Sequence, residues 1–270
     1  VCTSTDPRDN RLRPSVLLGF NGHNVLIDTT PDFRTQALRA RIERVDAILF
    51  THAHADHIMG LDDVRPFNFR QRASIPVYGS RETIATLRRV FDYVFAGHKS
   101  ESSIPRLEPH VLDGEPFEIL GVEFVPILLR HGRTEVYGYR FGSAAYLTDH
   151  SEIPPESVEK LRGLDVLFLD ALRNRPHPTH TTVERALEHV AEIAVEDALA
   201  LRRPLLPEAP AVARIREHAA PLRGRRADRL DAQREFLEER RVDAVAVVQE
   251  GLGEGLEADV PSEDLRDEAR

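Results

Sequence analysis

Four residues able to ligate a metal fall within the segment Thr51-His52-Ala53-His54-Ala55-Asp56-His57. Imidazole nitrogens and a carboxylate suit zinc, manganese or iron. His52 and His54 are two positions apart, so on extended backbone both side chains leave the same side. Asp56 and His57 follow where the chain turns toward a helix, and they can address a second point nearby. The spacing therefore predicts one pair of ligands for one ion and another pair for a second. A single histidine at a strand end is ordinarily only solvated, whereas four ligands in this pattern point to metal binding.

Positioning such a cluster takes a rigid strand end, and the preceding run Val45-Asp-Ala-Ile-Leu-Phe-Thr-His52 reads as a buried strand. Ahead of it, residues 15–21 and 23–30 read as a hairpin turning at Asn21-Gly22. Pro31 then opens a helix. Residues 76–80 are a short strand. A helix over 80–95 is expected to start at Ser80, with Thr83 three residues on. Residues 111–149 are mostly strand: 111–120, VEFVPILL, VYGYRFG and AAYLTD, set off by glycine or charged turns. A short helix at 154–163, a buried strand at 166–172 and an amphipathic helix at 181–194 follow. This order fits an α/β fold of two packed sheets with helices outside.

Composition narrows the function. The chain has 270 residues, enough for one large domain or two small ones, and a formal net charge of −9, which weighs against broad nucleic-acid binding. A single Cys rules out an intrachain disulfide framework and a multi-thiolate zinc site within the chain. No apolar run is long enough to span a membrane and no signal peptide is evident, so a cytoplasmic protein without a membrane partner is expected. Among 36 basic residues only Lys99 and Lys160 are lysines, which reads as a GC-rich coding bias. The 12 histidines are unevenly spread: eleven lie at or before His189 and only His218 follows. Residues 202–241 are rich in Arg, Ala and Pro and suggest two weak helices. Residues 242–248 (VDAVAVV) suggest a strand, and 250–270 suggest an acidic, solvated tail. The expected division is a domain over 1–200 and an atypical, partly disordered C-terminal segment over 201–270.

His-x-His-x-Asp-His after a buried strand resembles the signature of the metallo-β-lactamase fold, an αββα sandwich of hydrolases. The resemblance implies two mixed sheets with outer helices, and the sequence as given is expected to start within the family's N-terminal region, after its first strand. It also implies that His131, after VEFVPILL, joins His52 and His54 on one ion. Asp56 and His57 would hold the other, and Asp149, at the end of AAYLTD, would bridge the two. Asp rather than Cys at 149 gives a nitrogen/oxygen site and argues against a true β-lactamase. Asp28, at the end of Val-Leu-Ile-Asp, matches a position that hydrogen-bonds the metal loop, with a cap on the following helix as the alternative. His150 is read as structural, pointing away from the site.

The residues Val1-Cys-Thr-Ser-Thr-Asp-Pro-Arg-Asp-Asn10, Asp28-Thr-Thr-Pro-Asp-Phe-Arg34, His57-Ile-Met-Gly-Leu-Asp-Asp-Val-Arg65 and Pro176-His-Pro-Thr-His180 are similar to the branch related to phosphoribosyl cyclic phosphate phosphodiesterase. That similarity implies His180 as general acid, with His177 as runner-up, beside a catalytic Asp56. Arg173 and Arg175 read as solvated rather than phosphate-gripping. Two features depart from the branch. Cys2 stands alone where the branch clusters cysteines, and no Thr-His-x-x-His strand end follows His189. The second ion is therefore expected to lack one imidazole and to bind more weakly, and His218 carries no ligand role. The abrupt change to Arg/Ala/Pro could arise from a reading-frame change or a different terminus.

The function implied is hydrolysis of a small-molecule phosphodiester, small or cyclic, by water activated on two divalent ions, zinc or manganese. A homodimer is compatible with this. Alternatives are a transfer-RNA 3′-processing nuclease, which would want a basic gripping arm, a lactonase or thioesterase, and a degenerate metal-binding protein without catalysis.

Overall fold

The computed structural model describes residues 12–96, 103–193, 197–201 and 242–245. It opens with a hairpin of β1 (Val16–Phe20) and β2 (His23–Ile27). Asn21 and Gly22 take φ of 50° and 77° at the turn, the pair of left-handed residues a two-residue I′ turn needs. The first half continues with α1 (Phe33–Arg39), β3 (Ala47–Leu49), α2 (Ala55–Ile58), a 3-10 turn at Leu61–Val64, α3 (Arg65–Gln71), β4 (Ile75–Ser80), α4 (Arg81–Val90), α5 (Asp92–Phe95) and β5 (Leu107–Leu112). The second half holds β6 (Phe117–Ile119), β7 (Val122–His131), β8 (Thr134–Phe141), β9 (Ala144–Leu147), α6 (Pro155–Lys160), β10 (Val166–Asp170), α7 (Val183–Ile193), β11 (Asp197–Leu201) and β12 (Val242–Val245).

The strands form two mixed six-stranded sheets, ordered β12-β1-β2-β3-β4-β5 and β11-β10-β9-β8-β7-β6. In the first, β2 to β5 run parallel. In the second, β9, β10 and β11 run parallel and the rest antiparallel. Three apolar clusters mark the layers. One packs Ile48, Phe50 and Val77 against Phe33, Leu61 and Leu87. A second packs Ile127, Leu147 and Leu167 against Val158, Leu161 and Ala186. Between them Val25, Leu49, Phe124, Tyr139 and Tyr146 fill the space where the sheets meet. β4 shows why two faces are possible: its residues alternate between fully and half-buried, as the strand's period of two demands. The α/β sandwich expected from the sequence is the fold observed.

Some elements depart from expectation. Residues 111–120 are not one strand. β5 ends at Leu112 in the first sheet and β6 begins at Phe117 in the second. Gly114, at φ 94°, turns the chain between them. The helix from Ser80 also breaks. Ser80 caps α4 by accepting the Thr83 N–H at 3.1 Å, but Phe91 leaves helical geometry at φ −108°, ψ 45° while burying its ring in the first cluster. α3 and β11 had no clear signal in the sequence. The strand expected over 242–248 is present as β12, antiparallel to β1. Residues 1–11 with Cys2, the two weak helices within 202–241, His218 and the acidic tail lie outside the described residues.

Candidate metal centre

The site gathers where β2, β3, β7, β9 and β10 end. Asp28 follows β2 at φ 61° and is 1% exposed. Its carboxylate accepts the Thr51 N–H and Thr51 Oγ1, each at 2.8 Å, and His57 Nδ1 at 2.7 Å. Asp28 is therefore a brace for the loop after β3. It does not cap α1, whose N-cap residue is Asp32. The opposite sheet holds the same loop. The Phe50 carbonyl accepts Tyr139 Oη at 2.7 Å and the Thr51 carbonyl accepts the Tyr137 N–H at 3.0 Å.

His52 and His54 lie on one side, as the spacing predicts: His52 Nε2 is 2.9 Å from His54 Nδ1. His57, in α2, points its Nε2 at Asp149 Oδ2, 3.0 Å away. Asp149 follows β9 at φ 51°, and its Oδ2 is also 3.7 Å from His52 Nε2. The His131 ring, from the end of β7, lies 5.4 Å from that of His52 and 5.1 Å from that of His54. Gly132, at φ 63°, lets the 176–180 loop approach: a Cβ there would stand 2.9 Å from Thr179 Cγ2. Asp56 is the outlying member. Its side chain is half exposed and its Oδ2 is 3.9 Å from His57 Nε2.

Among the described residues, three groups could each hold a metal ion: His52, His54 and His131; His52, His57 and Asp149; and His131, Asp149 and His180. The chemistry of the donors fits a cation. His52 Nδ1 lies 3.0 Å from Thr51 Oγ1, His57 Nδ1 bonds Asp28, and His131 Nδ1 donates to the Thr179 carbonyl at 2.7 Å. Each ring thus has one nitrogen engaged outside the cluster and the other turned toward it, the arrangement that orients a metal-binding imidazole. Burial, with the neighbouring His57, pushes the His52 imidazole down to about 2, and burial lowers His131. Both are held in the neutral form that ligates. Burial opposes charge on His57, but Asp28 and Asp149 outweigh it and raise the imidazole well above its ordinary value. Asp149 is likewise desolvated, yet the His57 hydrogen bond and charge hold it well below the carboxylate range.

Other expected residues divide. His180 joins the cluster, its ring 5.0 Å from that of His131. His177 packs 5.0 Å from the His180 ring, and its Nδ1 is taken up by the Thr179 N–H at 3.3 Å and lies 3.1 Å from Thr179 Oγ1. Arg173 is spent on its own loop, donating from Nη2 to the Pro176 carbonyl at 3.3 Å. His150 is fully buried, and its ring lies 6.2 Å from that of His189. The sequence reading missed Asp170, which ends β10 and bonds His180. The available signal was an acid closing a buried strand shortly before a histidine-bearing loop.

No helix of the described residues is long and apolar enough to cross a membrane. Residues 23–201 match the model of the beta-lactamase superfamily domain. A crystal structure of a new diphosphatase from the PhnP family is 50% identical, with a TM-score of 0.67, over 74% of this chain and 76% of that one. An octanoyltransferase of Porphyromonas gingivalis is 36% identical over 195 residues, which are 72% of this chain and 39% of that protein. A ribonuclease Z of a Bradyrhizobium species is 28% identical over 146 residues, 52% of this chain and 47% of its own length. The chain thus spans less than half the length of these two curated relatives. The domain match, the sandwich and the strand-end cluster together establish that the chain belongs to the beta-lactamase superfamily, with the metallo-β-lactamase fold and a resemblance to the PhnP family.

Proposed function

We propose that the chain hydrolyses a small or cyclic phosphodiester with two divalent ions, zinc or manganese. The observation that carries this reading is the convergence of His52 and His57 from the segment after β3, His131 from the end of β7 and Asp149 from beyond β9 into overlapping ligand groups. His52, His54 and His131 would hold one ion. Asp56 and His57 would hold the other, with Asp149 shared. Bound there, such ions lower the pKa of water toward neutrality and stabilise charge on a phosphoryl oxygen.

The chain's own residues do the rest. Asp28 and the Thr179 carbonyl keep His57 and His131 turned inward. His180 stands ready to move a proton from its ring to the departing oxygen, a role worth roughly 10²–10⁴ in rate. The substrate class is small rather than nucleic acid, which agrees with the net charge of −9. A diphosphate is the second reading, because the relative at 50% identity is a diphosphatase. The test is turnover of bis(p-nitrophenyl) phosphate and of an alkyl diphosphate after loading with zinc or manganese. Hydrolysis of the diester with two ions bound supports the first reading. Hydrolysis of the diphosphate alone supports the second, and tight binding of one ion without turnover of either substrate contradicts both.

A further inference from the structure

His150 and His189 are both 0% exposed, yet neither nitrogen of either ring has a hydrogen-bond partner among the described residues. His150 directly follows Asp149. His189 lies on α7 between Ala186 and Ile193, which pack into the second apolar cluster. Glu192 Oε2 is 3.6 Å from His189 Nδ1, beyond hydrogen-bond reach, and that side chain is half exposed. Burial lowers both imidazoles. Each ring is therefore neutral and carries one N–H donor and one lone pair. Buried groups of this kind are nearly always satisfied by protein, by water or by an ion.

The separation of the rings selects among these. Their centroids are 6.2 Å apart, with the planes at 50°. A nitrogen sits about 1.2 Å from the centre of its ring, so a direct N–H···N bond would bring the centroids to about 5 Å. Zinc at about 2.0 Å from each nitrogen, with a tetrahedral angle, would also bring them to about 5 Å. The His131 ring stands at such distances from His52 and His54, 5.4 and 5.1 Å. A water held at about 2.9 Å by each ring spans about 6.3 Å at an angle of about 100°, close to its own tetrahedral preference. One water can donate to the lone pair of one ring and accept the N–H of the other.

We infer that His150 and His189 form an internal site for one water molecule, through which α7 anchors the residue next to Asp149. Asp149 presents its carboxylate from left-handed backbone at φ 51°, a conformation uncommon for a residue with a side chain. A neighbour tied to a packed helix steadies it there. His150 and His189 are thus positioning residues for the shared carboxylate. This second part rests on the two-ion reading above, whereas the water site does not.

The first test is a high-resolution crystal structure of the unsubstituted, zinc-loaded protein. One peak is expected between the two rings, about 2.7–3.2 Å from a nitrogen of each and without anomalous signal. Empty density between the rings, rings in direct contact, or an anomalous peak about 2 Å from the nitrogens would overturn the water site. The second test compares H189L with the H150L/H189L double variant by urea unfolding and by zinc titration. H189L leaves His150 unpaired and should lower the urea midpoint. The double variant removes both polar partners and should recover that midpoint, yet bind the weaker ion about 10-fold less tightly than the parent. A purely structural pair would not separate stability from zinc affinity in this way. Parental affinity for both ions in the double variant would overturn the positioning role. If the unsubstituted protein takes up no second ion, the two-ion reading fails and the positioning role with it, and the density alone decides the water site. That crystal structure needs no substitution, so it decides the water site even where a variant does not fold.

Discussion

The Asp28 carboxylate accepts a 2.7 Å hydrogen bond from Nδ1 of His57, with both side chains almost wholly excluded from solvent. This contact fixes which nitrogen of His57 faces Asp149. Asp28 reaches it from a left-handed backbone position at φ 61°, uncommon for a residue with a side chain. Asp28→Ala should therefore weaken divalent-ion binding by roughly 10–100-fold. Competition against a chromophoric chelator measures it, and an unchanged affinity would contradict the bracing role.

The two ions should part company under a chelator. The first has three imidazoles, His52, His54 and His131, whereas the second has His57 and carboxylates. Zinc removal is expected in two stages, the weaker ion leaving first. His57→Ala should abolish the early stage and His54→Ala should weaken the late one, as read by mass spectrometry of bound metal.

Gly60 lies where the loops after β2 and α2 touch. Its N–H donates to the Thr29 carbonyl at 2.9 Å, and the Thr29 N–H donates to the His57 carbonyl at 2.8 Å. A Cβ at position 60 would stand 2.0 Å from the Thr30 carbonyl oxygen. Gly60→Ala should cost about 1–3 kcal/mol through overpacking and should loosen His57. Denaturant unfolding and the chelator titration should both register it.

Asp46 supplies a pH test away from the metal cluster. Burial raises its carboxyl, but Arg44 at 3.0 Å, the Asn24 N–H at 2.8 Å and His23 together lower it below its ordinary value. A lowered folded-state value means the stabilisation is present above the unfolded value of 3.8 and is lost as pH falls through the folded one. Asp46→Asn should cost about 1–2 kcal/mol at neutral pH. The gap from the parent should close below pH 3.8, as measured by urea unfolding across pH.

The sandwich was legible in the order of the elements, and the nearness of His52 to His54 in their spacing. The spacing of His52 and His54 needs only a strand's period of two, and the structure gives just that. The long-range partners, His131 and Asp149, could be named only by family resemblance, because no local pattern tells which strand ends converge. Asp170 stayed hidden for the same reason: its partner is ten positions away across a loop, and a strand-end acid looks alike whether solvated or bonded. The crossing at Gly114 was missed because an apolar run on either side reads as one strand. The break at Phe91 was missed because helical periodicity does not register a single buried ring that pulls its residue out of line.

Anomalous diffraction at the zinc edge from crystals of the metal-loaded protein tests the central claim most directly. Two peaks are expected, one among His52, His54 and His131 and one among Asp56, His57 and Asp149. A folded protein that shows no peak at this cluster, or takes up zinc only elsewhere, would contradict it.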